Sequence, residues 1–468
     1  MNMTNPIKKS LIAAAVLLFP AMSIAQTSSS MYFLEGSTQR YQLNPAFEPE
    51  RGLYLAVPVL SNLNLNAQSS VGLSNFLFDS KSKPGMLTTF MSPDISYSQF
   101  MNAFPGAAQV NIGLNMDILA LGVRGKNGYT SFGVKLRNSE GISIPKELFG
   151  FMKASLSSGD YMINNTNVSS ITYAEAAITH SHKITDNLSI GAAVKFLLGL
   201  EYVDLTVNEI DARLSDDSWK VRTNAYARVS APGAMFTYDE DGVVDGFDGY
   251  EFKIPSSYGL AADLGAVYTF DGLLEGLKVS ASLTDLGMIK WNDVTGYKTN
   301  NTEYITFDGF NDYDVTSDGE SEQNLIDELE SDFKDMIKLY QTSAGGSESI
   351  ALNATMRLGA EYELPFLPML SVGELLTYRT GLWKYAESRT SLSVTPCRWF
   401  ALSGNVGLST MGSVFGFVVD VHPRTLNFFV AVDNLKAQVN PQYIPLNDFG
   451  LNVSVGLNLA FGKRRTDE

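Results

Sequence analysis

Cysteine is almost absent. Cys397 stands alone, which excludes an intramolecular disulfide and, so far from the N-terminus, a lipid-bearing cysteine there. Basic residues are outnumbered, 34 against 50 acidic, so the chain carries a formal charge of −16 and no basic footprint for nucleic acid. Histidine is scarce too. His180 and His182 share one strand face, but no further ligands can be nominated to complete a zinc site. Gly-x-Ser-x-Gly, His-Glu-x-x-His and phosphate-loop patterns are missing, as is any credible Ser/His/Asp set. The reading is therefore non-enzymatic, with no catalytic, cofactor-binding or metal residue to name. After the first 25 residues no apolar run approaches the roughly 20 residues that a membrane-crossing helix needs.

Those first residues form an export leader. Lys8 and Lys9 supply a positive start, Leu11 to Phe19 an uncharged apolar stretch, and Pro20 a helix break. Ser23-Ile24-Ala25 offers the small residues a signal peptidase requires, giving a signal peptide over 1–25 and a mature chain from Gln26. The mature charge is then −18, since Lys8 and Lys9 go with the leader.

What the rest of the chain has in abundance is period-two alternation in segments of roughly ten residues, the signature of strands with one face in lipid. The last is the clearest. Phe449, Leu451, Val453, Val455, Leu457, Leu459 and Phe461 are apolar, and the residues between them are Gly, Asn, Ser, Gly, Asn and Ala. Val110 to Ile118, Phe132 to Leu136, Leu188 to Leu198 and Leu277 to Leu283 repeat the pattern, with Asp117, Lys135, Arg137 and Lys195 on the polar face. Further candidates lie near 52–65, 170–183, 219–229, 258–270, 350–363, 371–380, 388–408, 413–422 and 425–433. The fold class that follows is all-β, a transmembrane antiparallel β-barrel of about 14 strands with small helices in its loops. Closing such a sheet removes the strand edges that hydrocarbon would leave unsatisfied. Aromatic residues at strand ends, as in Trp383-Lys384-Tyr385 and Trp399-Phe400, suit interfacial girdles.

The organisation expected is a signal peptide at 1–25, an N-terminal lumen or plug segment at 26–51, the barrel at 52–462 and a polar tail at 463–468. Long polar segments at 201–257 and 292–349 read as extracellular loops or a lumen plug, and Thr185-Asp186-Asn187 as a tight periplasmic turn. Helical spacing appears at Ile144 to Leu156 and at Glu320 to Tyr340. Leu43-Asn44-Pro45-Ala46-Phe47 reads either as a fixed entry to the first strand or as part of a lumen segment that gates a path. Thr284-Asp285-Leu286-Gly287 and Asp433-Asn434-Leu435 read as turns, with Trp291 as an interfacial anchor. The acidic stretch Asp239 to Gly249 lacks the glutamate an EF-hand needs at its twelfth position and reads as a solvated loop, as does Asp308 to Asp312.

The Asn44-Pro45-Ala46 entry, the Asp285-Leu286-Gly287 to Trp291 stretch, Phe307-Asp308-Gly309-Phe310 and the closing Phe-Gly strand resemble an uncharacterised Bacteroidota outer-membrane barrel family. More distantly the chain is similar to long-chain fatty-acid transporter barrels and to the barrel of the type IX secretion system. The resemblance implies an N-terminal segment in the lumen, and either uptake of a hydrophobic solute or a partner-protein role. The function expected is a passive channel or transporter for small or hydrophobic solutes in the outer membrane of a Gram-negative cell. The alternative is a non-transporting anchor for an envelope or secretion protein. Outer-membrane lipid is the one partner that the fold itself requires.

Overall fold

The computed structural model describes residues 28–464 apart from 84, 105, 155–158, 216–218, 241, 252, 301–303, 308–337, 382–383 and 437–446. The leader, nearly all of the Glu320 to Tyr340 stretch, Asp308 to Asp312, Trp383 and the end of the polar tail lie outside the described residues.

In chain order the strands are β1 (Arg51–Ala56), β2 (Leu63–Ser69), β3 (Leu77–Asp79), β4 (Leu87–Thr89), β5 (Ala108–Arg124), β6 (Gly128–Ile144), β7 (Gly159–Lys183) and β8 (Leu188–Leu214). Then follow β9 (Trp219–Ser230), β10 (Ala234–Tyr238), β11 (Val244–Tyr250), β12 (Ser257–Thr269), β13 (Leu277–Thr299), β14 (Ile305–Phe307) and β15 (Leu339–Ala351). The last seven are β16 (Thr355–Glu363), β17 (Leu370–Arg379), β18 (Tyr385–Cys397), β19 (Phe400–Ser409), β20 (Gly412–Val421), β21 (Leu426–Lys436) and β22 (Phe449–Arg464).

Fourteen staves close the wall. β1 and β2 share one place in it, since both pair with β22 on one side and with β5 on the other. From β5 the antiparallel order runs β6, β7, β8, β12, β13, β16 and then through β17 to β22. The connections sort by end: one rim has tight turns, such as 184–187 and 398–399, and the other has the long excursions. The stretch expected as one strand near 388–408 is a hairpin of β18 and β19, turning at Arg398-Trp399.

The alternation read in the sequence is realised inside out. On β8 the apolar Val194 is 66% exposed, whereas its neighbour Lys195 is 5% exposed. On β22, Asn452, Ser454 and Asn458 are buried while Val455 faces outward. A soluble protein buries its apolar side chains, so this surface is one that only lipid can cover.

Two expectations need correction. The described residues of 201–257 and 292–349 are largely strand: β8 runs on to Leu214 and β13 to Thr299, and with β9 and β15 they raise one side of the wall above the rest. Cross-strand charge pairs hold this extension, Arg228 binding both Asp204 and Glu348. One face of this extension is buried, at Val207, Ala212, Val221, Ala225 and Ala227, while the alternate positions of β9 are Lys220, Arg222, Asn224, Tyr226 and Arg228. Second, the helix expected from Ile144 starts later, since Ile144 ends β6; its described part, Lys146–Ala154, packs with a helix at Tyr97–Met101 in an aromatic cap around Phe100, Phe104 and Phe149.

Leu358 lies on the lipid face of β16, 45% exposed. Leu358→Arg is expected to lower stability by about 2–4 kcal/mol, the cost of a cation at mid-bilayer depth, as measured by urea titration of refolding into lipid vesicles.

Candidate functional site

Residues 28–50 lie inside the barrel and touch most of its circumference. Ser28 and Ser30 hydrogen-bond to the Asp433 carboxylate on β21, and the Ser30 N–H donates to Asp433 Oδ1 at 3.2 Å. Met31 and Leu34 pack on Val418, Phe429 and Ala431. Gln39 Nε2 donates to Tyr54 Oη at 3.0 Å, and Gln42 Nε2 to Asp117 Oδ2 at 3.0 Å. Asn44 Nδ2 donates to Ala281 O at 3.2 Å while its Oδ1 accepts from the Ala46 N–H at 2.9 Å, which fixes the turn into Pro45. Arg124 on β5 then pairs with Glu48 at 3.0 Å where the chain leaves the lumen.

Glycines on the inner wall make room for this path. A Cβ on Gly191 would collide with Pro45 O and Ala46 N, and one on Gly373 would lie 2.6 Å from the Phe33 ring. These glycines are needed for close approach, not for unusual torsions.

Above the segment, a cavity of about 110 Å³ is lined by polar and charged side chains from β5 through β8, β12, β13, β16 and β17, with Tyr41 and Gln42 among them. Its centre is an ion-pair network. Arg137 grips Asp285 with both guanidinium nitrogens, at 2.7 and 3.1 Å, and reaches Glu175 at 2.9 Å. Lys195 Nζ lies 2.7 Å from Asp285 and 2.8 Å from Asp263, and Lys135 lies 3.8 Å from Glu175. Across the lumen Arg389 is clamped by Glu387 at 2.6 Å and Asp433 at 2.6 Å, with Asn434 Oδ1 accepting from Nη2 at 2.9 Å. Charges this deep are costly unless paired, and these are.

Asp285 and Asp433 were expected in turns, and both instead lie inside strands. On β13, Thr284 and Asp285 together oppose Asp263 of β12, and Asp285 takes φ 62°. This is a β-bulge: two successive residues face inward and the alternation then changes phase. Trp291 is the consequence. Unbroken alternation from Ser282 and Thr284 would turn it outward, as an interfacial anchor. The bulge turns it inward instead, where it is fully buried and stacked on Tyr202 with ring centroids 5.4 Å apart. Asp433-Asn434 repeats the device with φ 53° at Asn434, so that both side chains meet Arg389.

The other singled-out residues stay apart from this lumen network. His180 and His182 lie toward the tight-turn rim, ring centroids 5.8 Å apart, with His180 exposed and bonded to Thr130 at 2.9 Å. Asp239 caps the β10–β11 turn, its Oδ1 accepting from the Val243 N–H at 2.9 Å. Among the described residues no group of three His, Cys, Asp or Glu is placed to hold a metal.

The sequence places this chain in a family of unknown function. Residues 45–433 match the model of the Family of unknown function (DUF5723), and the chain belongs to it. No curated protein matches it. Among solved structures it is similar to the Pseudomonas putida toluene transporter TodX, at 9% identity and TM-score 0.42, over 94% of this chain and 97% of that one. A Pseudomonas aeruginosa FadL homologue gives 11% and 0.45, over 94% and 99%. The translocator domain of autotransporter NalP from Neisseria meningitidis gives 7% and 0.34, over 92% and 97%. Values this low transfer neither substrate nor mechanism.

Asp285 neutralises Arg137 and Lys195 together. Asp285→Ala is expected to cost about 3–5 kcal/mol, because it leaves Lys135, Arg137 and Lys195 with only Glu175 and Asp263 to neutralise them. Asp186→Ala, which removes the exposed pair with Lys183, should leave the same urea midpoint unmoved.

Proposed function

We propose that this protein is an outer-membrane channel or transporter for a small polar solute, held closed by its own N-terminal segment. Residues 1–25 act as the export leader, so the mature chain begins at Gln26, two residues before Ser28 in the lumen. The observation that carries the reading is the path of residues 28–50: they cross the lumen on hydrogen bonds to side chains of the wall, chiefly at Asp433, Tyr54 and Asp117. Polar contacts of this kind exchange with water at modest net cost, so the buried Met31, Phe33, Leu34 and Leu43 set the larger part of the cost of release. The charged lining of the cavity favours a polar solute over a hydrophobic one.

The test is conductance in planar bilayers, with heat-modifiable gel migration to report folding. The full-length protein is expected to open rarely. Deletion of residues 28–42 should give long-lived steps at least several-fold larger, and Gly191→Val, which pushes on Pro45 and Ala46, should raise the open fraction. Variants that fold but conduct no more than the parent would sink the channel reading. The chain would then be an anchor, with the raised sheet of β8, β9, β13 and β15 as its contact surface.

A further inference from the structure

The cavity's charges do not balance. Lys135, Arg137, Lys195, Arg357 and Arg379 line it on the positive side, and only Glu175, Asp263 and Asp285 on the negative. The three carboxylates are already engaged by Lys135, Arg137 and Lys195. Of the two cations left, Arg357 on β16 is the one that no described carboxylate pairs with.

Arg357 is 4% exposed, and its Nη1 donates to Thr284 Oγ1 at 3.1 Å. No described carboxylate pairs with it, and its Nε has no partner. Directly opposite it on β17 is Thr377, whose hydroxyl is also buried and unpartnered. Arg379 lies opposite Thr355, one diagonal step from Arg357 on the same inner face, and its guanidinium stands over the Tyr385 ring. The two guanidinium groups start one diagonal apart, roughly 7–8 Å at the backbone, so both line the same stretch of the lumen.

We propose that Arg357, with Arg379 as second cation, forms an oxyanion site in the lumen that takes a small carboxylate- or phosphate-bearing solute. The guanidinium fork matches either group in bidentate geometry, and the unused Nε supplies one of its two donors. At roughly 30 Å³ per water, the cavity has the size of a few waters or one small anion. Tyr41 and Gln42 line the same cavity, so an anion here lies against the N-terminal segment. The proposal rests on the channel reading only for its role as a transported substrate. Binding itself is tested without conductance.

The experiment is isothermal titration of the folded, detergent-solubilised full-length protein with sodium phosphate and, separately, sodium acetate, in chloride buffer at constant ionic strength. Saturable one-to-one binding of at least one anion is expected, weakened tenfold or more in Arg357→Gln and in Arg379→Gln. Arg357→Lys keeps the charge, loses the fork and should fall between. Which anion binds identifies the group recognised. If Arg357→Gln fails the heat-modifiability check, the lysine variant and Arg379→Gln carry the comparison. Absence of saturable binding by either anion, or binding unchanged in the folded variants, overturns the site. Binding in a protein whose plug deletion never conducts would leave the site standing and remove the channel reading.

Discussion

A strand edge in hydrocarbon is a row of N–H and C=O groups with nothing to bond to, and the rest of this structure follows from the need to have none. The difficult place is the seam. The first stave is broken between β1 and β2, yet each half pairs with β22 and with β5. Single backbone bonds carry the wall across the break: Val59 N–H to Asp117 O at 3.1 Å, Asp117 N–H to Asn62 O at 3.1 Å, and Leu457 N–H to Leu60 O at 2.7 Å. Gln39 and the Tyr54 hydroxyl brace the break from inside through Ser61. Closure and plug are thus not independent features, because the N-terminal segment helps to hold the seam shut.

Once the outer face is given to lipid, every polar side chain on the staves must find its partners within the lumen. That requirement explains why the interior carries a polar network beside the apolar clusters that the N-terminal segment makes with the wall. Asp433 shows the economy of it: one carboxylate serves Arg389 of the wall and both Ser28 and Ser30 of the segment. Removing the segment would leave that carboxylate with the arginine alone, which neutralises it without filling the space. The wall's ion pairs among Arg137, Glu175, Lys195 and Asp285 are complete without the segment.

Much of the fold was legible because the signal is periodic. The lipid faces of β8, β13 and β22 could be read residue by residue, and the count of about 14 staves follows from the number of such segments. Of the raised sheet only 219–229 was legible as strand, because elsewhere polar and charged residues take the positions whose apolar alternation marks the other strands. The lumen network was half visible: Asp117, Lys135, Arg137 and Lys195 were already on the polar faces. Their partners were hidden, because pairing depends on register between strands distant in sequence, as between Arg137 and Asp285.

The bulges explain the remaining error and also show how it could have been avoided. In an uninterrupted strand, two adjacent polar residues cannot both face the lumen. Thr284-Asp285 and Asp433-Asn434 are each followed by a leucine, Leu286 or Leu435, that is about half exposed and so resumes the lipid face. Read strictly by parity, such a pair breaks the strand, and a turn is the natural inference. The alternation does not stop after either pair, however; in β13 it continues one step out of phase, through Met288 outside and Ile289 inside. A turn ends a pattern, whereas a bulge shifts it. Asp and Asn accept the positive φ that the shift requires better than other side chains do. A bulge costs the strand one ladder position. What it gains here is a carboxylate at a depth where regular alternation would have placed only a backbone group, next to a guanidinium that it neutralises together with Glu175 at Arg137 or Glu387 at Arg389.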